Sequence, residues 1–273
     1  MIHIVVDSYG CSTARLDNLR DVYEVINDIV NELELKAIMP PQLVPYYYSK
    51  EPDDVGISAF VLLEGGHFTI HTFPQWQCYF ADLLYDGYVN TEYLENILKR
   101  EFPCGQFFTR NIDRDEVESA DFQQHENDIG IYRRTDFGPH YMIKATLTHT
   151  PTIDEYMDML DRLPYSVDMH PITRPYVLKS SPEDPKYLSG IVIIAESHIA
   201  LHYCYATKKV FMDIFSCKMI DDEKYQKVRE GLLNVPRDEV LIKRGRANEH
   251  RKVTQLSKHD KHSEWQKNIR PKK

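Results

Sequence analysis

The chain has 273 residues, of which 42% are hydrophobic and 27% charged, with a net charge of −9; this is the make-up of a soluble globular protein large enough for one big core or two smaller ones. No apolar run nears the roughly 18 residues of a membrane span, and the opening MIHIVVDSYG lacks the basic stretch and apolar run of a secretory signal. Residues 241–273 carry 11 Lys/Arg and 3 Asp/Glu, a balance of +8 against −17 for the rest, so the end reads as a solvated basic tail and the acidic body argues against nucleic acid as a partner.

In chain order, a short apolar strand is predicted at Ile2–Val6. Leu16, Leu19, Val22, Val25, Ile26, Ile29 and Val30 then recur at helical spacing. Alternating stretches predict strands around 57–63, 68–72 and 79–84, and Tyr93, Leu94, Ile97 and Leu98 a closing helix. Residues 116–137 are polar and acidic and read as a linker. The same order then returns. A strand at Tyr141–Ala145 precedes a helix bearing Ile153, Tyr156, Met157, Leu160 and Leu163. Strands follow around 189–195, 199–203 and 209–215, then a helix with Tyr225, Val228 and Leu232.

The return is visible in the residues themselves. GISAFVLLEGGHFTIH (56–71) aligns with LSGIVIIAESHIALH (188–202). At a constant offset of 131, Ser58 meets Ser189, His67 meets His198, His71 meets His202, Phe80 meets Phe211 and Asp82 meets Asp213. Upstream, IHIVVDSYG resembles PHYMIKATL. The expectation is an α+β protein of two tandem repeats, 1–115 and 138–240, with 241–273 as the tail. Each repeat forms an antiparallel sheet with helices on one face, and the two pair into a four-layer α/β/β/α sandwich.

The second repeat concentrates the reactive side chains: Ser189, Glu196-Ser197-His198, His202 and Cys217. Ser197 and His202 lie five apart, on strands that an intervening turn could bring together. Singly, each has a plainer reading as a strand serine, a hydrogen-bonded core histidine or a small buried thiol. The five cysteines (Cys11, Cys78, Cys104, Cys204, Cys217) are odd in number and lack CxxC spacing. They predict no disulfide framework and no metal site, and they suit a reducing cytoplasm.

Taken together, SGIVIIAESHIALH with FMDIFSC downstream, and GGHFTIHTFP in the first repeat, resemble the signature of the prokaryotic S-adenosylmethionine decarboxylases. The resemblance spans roughly residues 1–240. It implies self-cleavage at Glu196–Ser197, leaving a chain of 196 residues and one of 77 that begins with a pyruvoyl group made from Ser197. Such a ketone condenses with a substrate amine and holds the electrons released as CO2 departs. The resemblance assigns Cys217 as the general acid and Ser58 and His71 as its facing partners. Glu196, His71 and His202 are assigned to processing, and Phe73, Gln75 and Tyr47 to the substrate. Gly66 and Asp86 stand in the first repeat where Ser197 and Cys217 stand in the second, so only one of two composite sites is expected to work, with Ser189 and His202 as structural remnants.

The implied activity is decarboxylation of S-adenosylmethionine for polyamine synthesis. Gln75 stands where the family has a ribose-binding Glu, and it offers one acceptor oxygen and no charge. That departure favours an alternative basic substrate, ornithine or arginine. A third reading is a non-catalytic partner that activates a decarboxylase, against which Ser197 stands. Either a monomer of two repeats or a homodimer is compatible with the sequence.

Overall fold

The computed structural model describes residues 1–46, 55–116, 139–195, 197–216, 220, 222–231 and 240–245. The first half runs β1 (Ile2–Tyr9), α1 (Thr13–Leu16), α2 (Leu19–Glu32), β2 (Gln42–Tyr46), β3 (Gly56–Leu63), β4 (Gly66–Phe73), a 3-10 turn (Pro74–Trp76), β5 (Cys78–Tyr85), α3 (Thr91–Glu101) and β6 (Gln106–Asp113). The second runs β7 (Pro139–Thr146), α4 (Ile153–Ser166), β8 (Tyr176–Lys179), β9 (Tyr187–Ile194), β10 (Ser197–Cys204), β11 (Lys209–Ser216), α5 (Asp222–Gly231) and β12 (Val240–Gly245).

Each half builds one six-stranded sheet, ordered β2-β3-β4-β5-β1-β6 and β8-β9-β10-β11-β7-β12. All the pairings are antiparallel. The α+β class with antiparallel sheets is as the sequence led us to expect. Four of these strands were not expected: β2, β6, β8 and β12, which form the sheet edges. β12 takes in residues 241–245, which composition had assigned to the tail.

The helices start where capping side chains satisfy free backbone N–H groups. Asn18 accepts from the amides of Arg20 and Asp21 at 3.0 and 3.4 Å. Asn90 does the same for Tyr93 at 3.1 Å. Thr152 and Glu155 form a reciprocal capping box on α4. Helix α2 then buries Val22, Val25, Ile26 and Ile29 on one stripe. α3 buries Leu94, Ile97 and Leu98, and α4 buries Tyr156, Leu160 and Leu163. Ile153 and Met157, expected on that last stripe, are exposed instead.

Strand parity divides the core into layers. On β3, Ile57, Ala59, Val61 and Leu63 pack under the helices of their own half. The alternate residues Phe60 and Leu62 meet Ile191, Ile193 and Ala200 of the other sheet. The second half repeats this, with Leu188, Val192 and Ile194 of β9 under α4. Each Val, Leu, Ile and Phe among them contributes about 1.5–3 kcal/mol when fully buried. With both faces covered, the central strands read as near-continuous apolar runs rather than clean alternations.

The layer between the sheets is not wholly apolar. An aromatic cluster of Tyr9, Phe73, Trp76, Phe80 and Phe215 closes one end. Beside it lie His3, His67, His71, His140, His198 and His202 with Asp82, Asp213 and Arg114, all buried. Cys11, Cys78, Cys104 and Cys204 are not in disulfides. Among the described residues, no helix is long and apolar enough to cross a membrane.

Candidate active site

Ser197 opens β10, register-paired with Ile194 of β9 and Ser216 of β11. Its φ is +147°, a region that L-residues rarely enter and that costs of order 1–3 kcal/mol. The residue is buried, and its Oγ has no hydrogen-bond partner among the described residues. A small cleft reaches it, lined on the second half by Ile194 and Ala195 and on the first by Tyr46, Ser58, His71 and Phe73. The hydroxyl, the strained backbone and a Ser–His pair from the opposite sheet thus share one small cleft.

Ser58 and His71 are register partners on β3 and β4. Ser58 Oγ lies 2.8 Å from His71 Nδ1, and His71 Nε2 lies 2.8 Å from His198 Nδ1 of the other sheet. The two imidazoles meet edge to edge and nearly coplanar, with centroids 5.0 Å apart and planes 9° apart. The other half supplies a matching set: Ser189 Oγ to His202 Nδ1 at 2.9 Å, and His202 Nε2 to His67 Nδ1 at 2.7 Å. Burial drives the His67 pKa down to about 4 and that of His202 well below the usual imidazole value. Both of these rings are therefore neutral at physiological pH.

Between the two sets lies a charged centre. Arg114 donates to Asp213 at 2.7 Å, to His3 Nδ1 at 3.1 Å and to the carbonyl of Ile143 at 2.9 Å. His3, Asp82 and His140 bring ligand-type atoms within 4.8 Å of one another, so this is where a metal would be sought. The hydrogen-bond polarity opposes it. The Arg114 N–H makes His3 Nδ1 an acceptor, so the neutral ring carries its proton on Nε2, the atom that faces Asp82 at 3.8 Å. A metal there would need the opposite tautomer. The cluster is a hydrogen-bonded ionic centre that joins the two sheets.

Of the residues expected from sequence, Ser197, Ser58, His71 and Phe73 meet at the cleft. Gln75 does not: it is exposed on the 3-10 turn that follows Phe73. Nor does His202. It lies on the same strand as Ser197, and five residues of strand span about 17 Å, so no turn brings the two together; its partners are Ser189 and His67. Tyr47, Glu196 and Cys217 fall outside the described residues. Tyr46 lines the cleft, and Ser216, which precedes Cys217 in the chain, is the register partner of Ser197.

The position related to Ser197 is closed. Gly66 opens β4 opposite Leu63 as Ser197 opens β10 opposite Ile194. A Cβ on Gly66 would sit 1.8 Å from the carbonyl oxygen of Leu84. Nearby, the Tyr187 hydroxyl donates to the Asp86 carboxylate. Burial, reinforced by that carboxylate, pushes the phenol pKa up. Sequence reading assigned no role to His198, Arg114, His3 or His140. His198 does carry a signal: it shares strand parity with His202, and the offset of 131 relates it to His67.

A family model described as S-adenosylmethionine decarboxylase matches residues 2–115 and 144–240. The S-adenosylmethionine decarboxylase proenzyme of Aquifex aeolicus (strain VF5) is 31% identical over 74 residues, covering 27% of this chain and 50% of that protein. The S-adenosylmethionine decarboxylase proenzyme 2 of Bacillus cereus (strain ZK / E33L) is 29% identical over 102 residues, covering 36% and 77%. The chain thus spans half the length of the first of these relatives and about three quarters of the second. A crystal structure of the adenosylmethionine decarboxylase from Aquifex aeolicus VF5 aligns at 21% identity and a TM-score of 0.37, over 43% of this chain and 92% of that one.

Proposed function

The chain belongs to the S-adenosylmethionine decarboxylase family, and from that premise we propose that it is a pyruvoyl-dependent decarboxylase that cuts itself at Glu196–Ser197 and acts on S-adenosylmethionine. The observation that carries the reading is Ser197: a buried hydroxyl with no hydrogen-bond partner among the described residues, on a backbone held at φ +147°, in the same cleft as Ser58 and His71. A buried hydroxyl next to a strained linkage suits attack on the preceding carbonyl.

The scission balances simply. Ser197 Oγ takes the acyl group of residue 196 from its own nitrogen. A base removes the α-proton, and the 196-residue chain leaves as its carboxylate. One water then replaces the nitrogen, which departs as ammonia, and the 77-residue chain keeps a pyruvoyl end. That group supplies an electrophilic ketone and an electron sink when formed. The chain's own residues would do the rest. Ser58 presents a hydroxyl to the cleft, His71 moves its proton, Phe73 offers a ring face, and the packed sheets exclude water. Cys217 is proposed as the acid that returns a proton to the product carbon. The shared strand order of the two sheets supports reading the chain as two related halves, one of which has kept the reactive serine.

A basic amino acid, ornithine or arginine, is the second reading. The exposure of Gln75 favours it. Intact-mass analysis of the purified chain, followed by release of labelled CO2 from carboxyl-labelled S-adenosylmethionine, ornithine and arginine, tests both. We expect two fragments, and label from S-adenosylmethionine only. Label from arginine or ornithine alone would transfer the assignment to the second reading. A chain that stays whole and releases no label, as Ser197→Ala is expected to do, would overturn both and favour a non-catalytic partner.

A further inference from the structure

We propose that His198 is a positioning residue that fixes the proton of His71 on Nε2, and so leaves His71 Nδ1 as the base for the Ser58 hydroxyl. The inference rests on the decarboxylase reading for its consequence, but not for its geometry. His71 has one nitrogen 2.8 Å from Ser58 Oγ and the other 2.8 Å from His198 Nδ1. One neutral imidazole carries one proton, so these two contacts are linked. If His71 donates from Nε2 to His198, its Nδ1 lone pair faces Ser58 and can take the hydroxyl's proton. If His198 donates instead, His71 carries its proton on Nδ1 and cannot act as a base toward Ser58. Which nitrogen is protonated is set by the bond the other nitrogen makes. A hydroxyl, a histidine and a third group that accepts from the histidine form the recurring arrangement for activating a hydroxyl.

The position of His198 in the chain gives this arrangement its purpose. It follows Ser197 directly, so the reacting residue and the residue that orients the facing base are joined by one peptide bond. Scission on the N-terminal side of Ser197 leaves His198 second in the new chain, still on β10 and still in hydrogen-bond reach of His71. The same base can therefore be held for the maturation step and for turnover. The related set, Ser189–His202–His67, has the same contacts, but Gly66 precedes its His67. His67 thus provides a control with equal burial and equal bonding next to no reactive hydroxyl.

The test uses His198→Asn, His198→Gln and His67→Gln in the full chain. Asparagine places an amide where imidazole Nδ1 was, whereas glutamine reaches toward the Nε2 position. Nitrogen-15 NMR of the histidines in the uncleavable Ser197→Ala background reads the proton on His71 directly, whether or not the wild type matures. We expect Nε2–H on His71 in that parent and in His198→Asn, and a mixture of tautomers in His198→Gln. We expect no change in His67→Gln. In the cleavable chain, His198→Gln should slow scission about 10- to 100-fold, part of the ~10²–10⁴ that a positioned base contributes. His198→Asn should stay within about threefold of wild type on the same scale. A proton found on His71 Nδ1 in the parent, or a tautomer indifferent to His198→Gln, would overturn the proposal. So would equal slowing by His67→Gln and His198→Gln. A wild type that never cleaves while His71 keeps its Nε2 proton would instead count against the decarboxylase reading alone.

Discussion

Replacing Arg114 by methionine removes the buried cation that bridges the end of the first half to the second sheet. Its guanidinium is 1% exposed and donates to Asp213, itself 0% exposed, at 2.7 Å. The substitution keeps most of the volume but leaves the Asp213 carboxylate without its charge partner. Breaking one member of a buried pair costs about 3–5 kcal/mol, because the remaining ion stays desolvated. For a chain of this size each kcal/mol shifts Tm by roughly 2–4 °C, so a fall of about 6–20 °C is expected from the two together. Thermal unfolding monitored by circular dichroism measures it. Adding Asp213→Leu to Arg114→Met should restore more than half of the loss, since apolar replacement of a whole buried pair is often neutral. If Arg114→Met moved Tm by less than about 2 °C, or if the double variant were no better than the single, the ionic centre would not be holding the sheets together.

Two further outcomes follow from buried groups. His67 is held neutral, with its pKa near 4 in the folded state against about 6.5 when unfolded. The unfolded chain binds the extra proton first, so the stability that His67 contributes is complete above pH 6.5 and falls as pH drops toward 4, by ~3 kcal/mol. Urea midpoints from pH 7 to 4 should show this slope, to which His202 adds in the same direction, and His67→Phe should reduce it; an unchanged slope would refute the assignment. Gly66→Ser, which nominally restores a serine at the related position, should create no second cut. With its Cβ 1.8 Å from the Leu84 oxygen, it should destabilise by about 1–3 kcal/mol or more through forced strand displacement. A gel and a melting curve check both, and a new fragment beginning at residue 66 would show that the strand accommodates the side chain.

Much of the fold is legible because the central strands and the amphipathic helices carry strong periodicities. The edge strands are not. β2 (QLVPY) holds a proline, and β12 (VLIKRG) mixes charge with apolar residues. Such features blunt an exposed edge and make it look like a loop. At the site, Ser197, Ser58, His71 and Phe73 could be found because they lie in two hairpins with recognisable spacing. Arg114 could not. After β6 and before a polar stretch it looks like any surface arginine, and its partner Asp213 is 99 residues away. The error over His202 has a different cause. An interval of five residues suggests a turn between the two, but strand β10 begins at Ser197 itself, so the interval measures length along one strand. The offset of 131 pairs His71 with His202 and His67 with His198, whereas contact exchanges the partners, joining His71 to His198 and His67 to His202.

That exchange has a genetic consequence. In a symmetric assembly of identical chains, every substitution strikes both interfaces at once, and the two effects cannot be separated. Here both Ser–His–His sets are encoded in a single reading frame, so one codon alters one set and leaves its counterpart as an internal reference. The molecule can therefore drift, or be edited, on one side at a time.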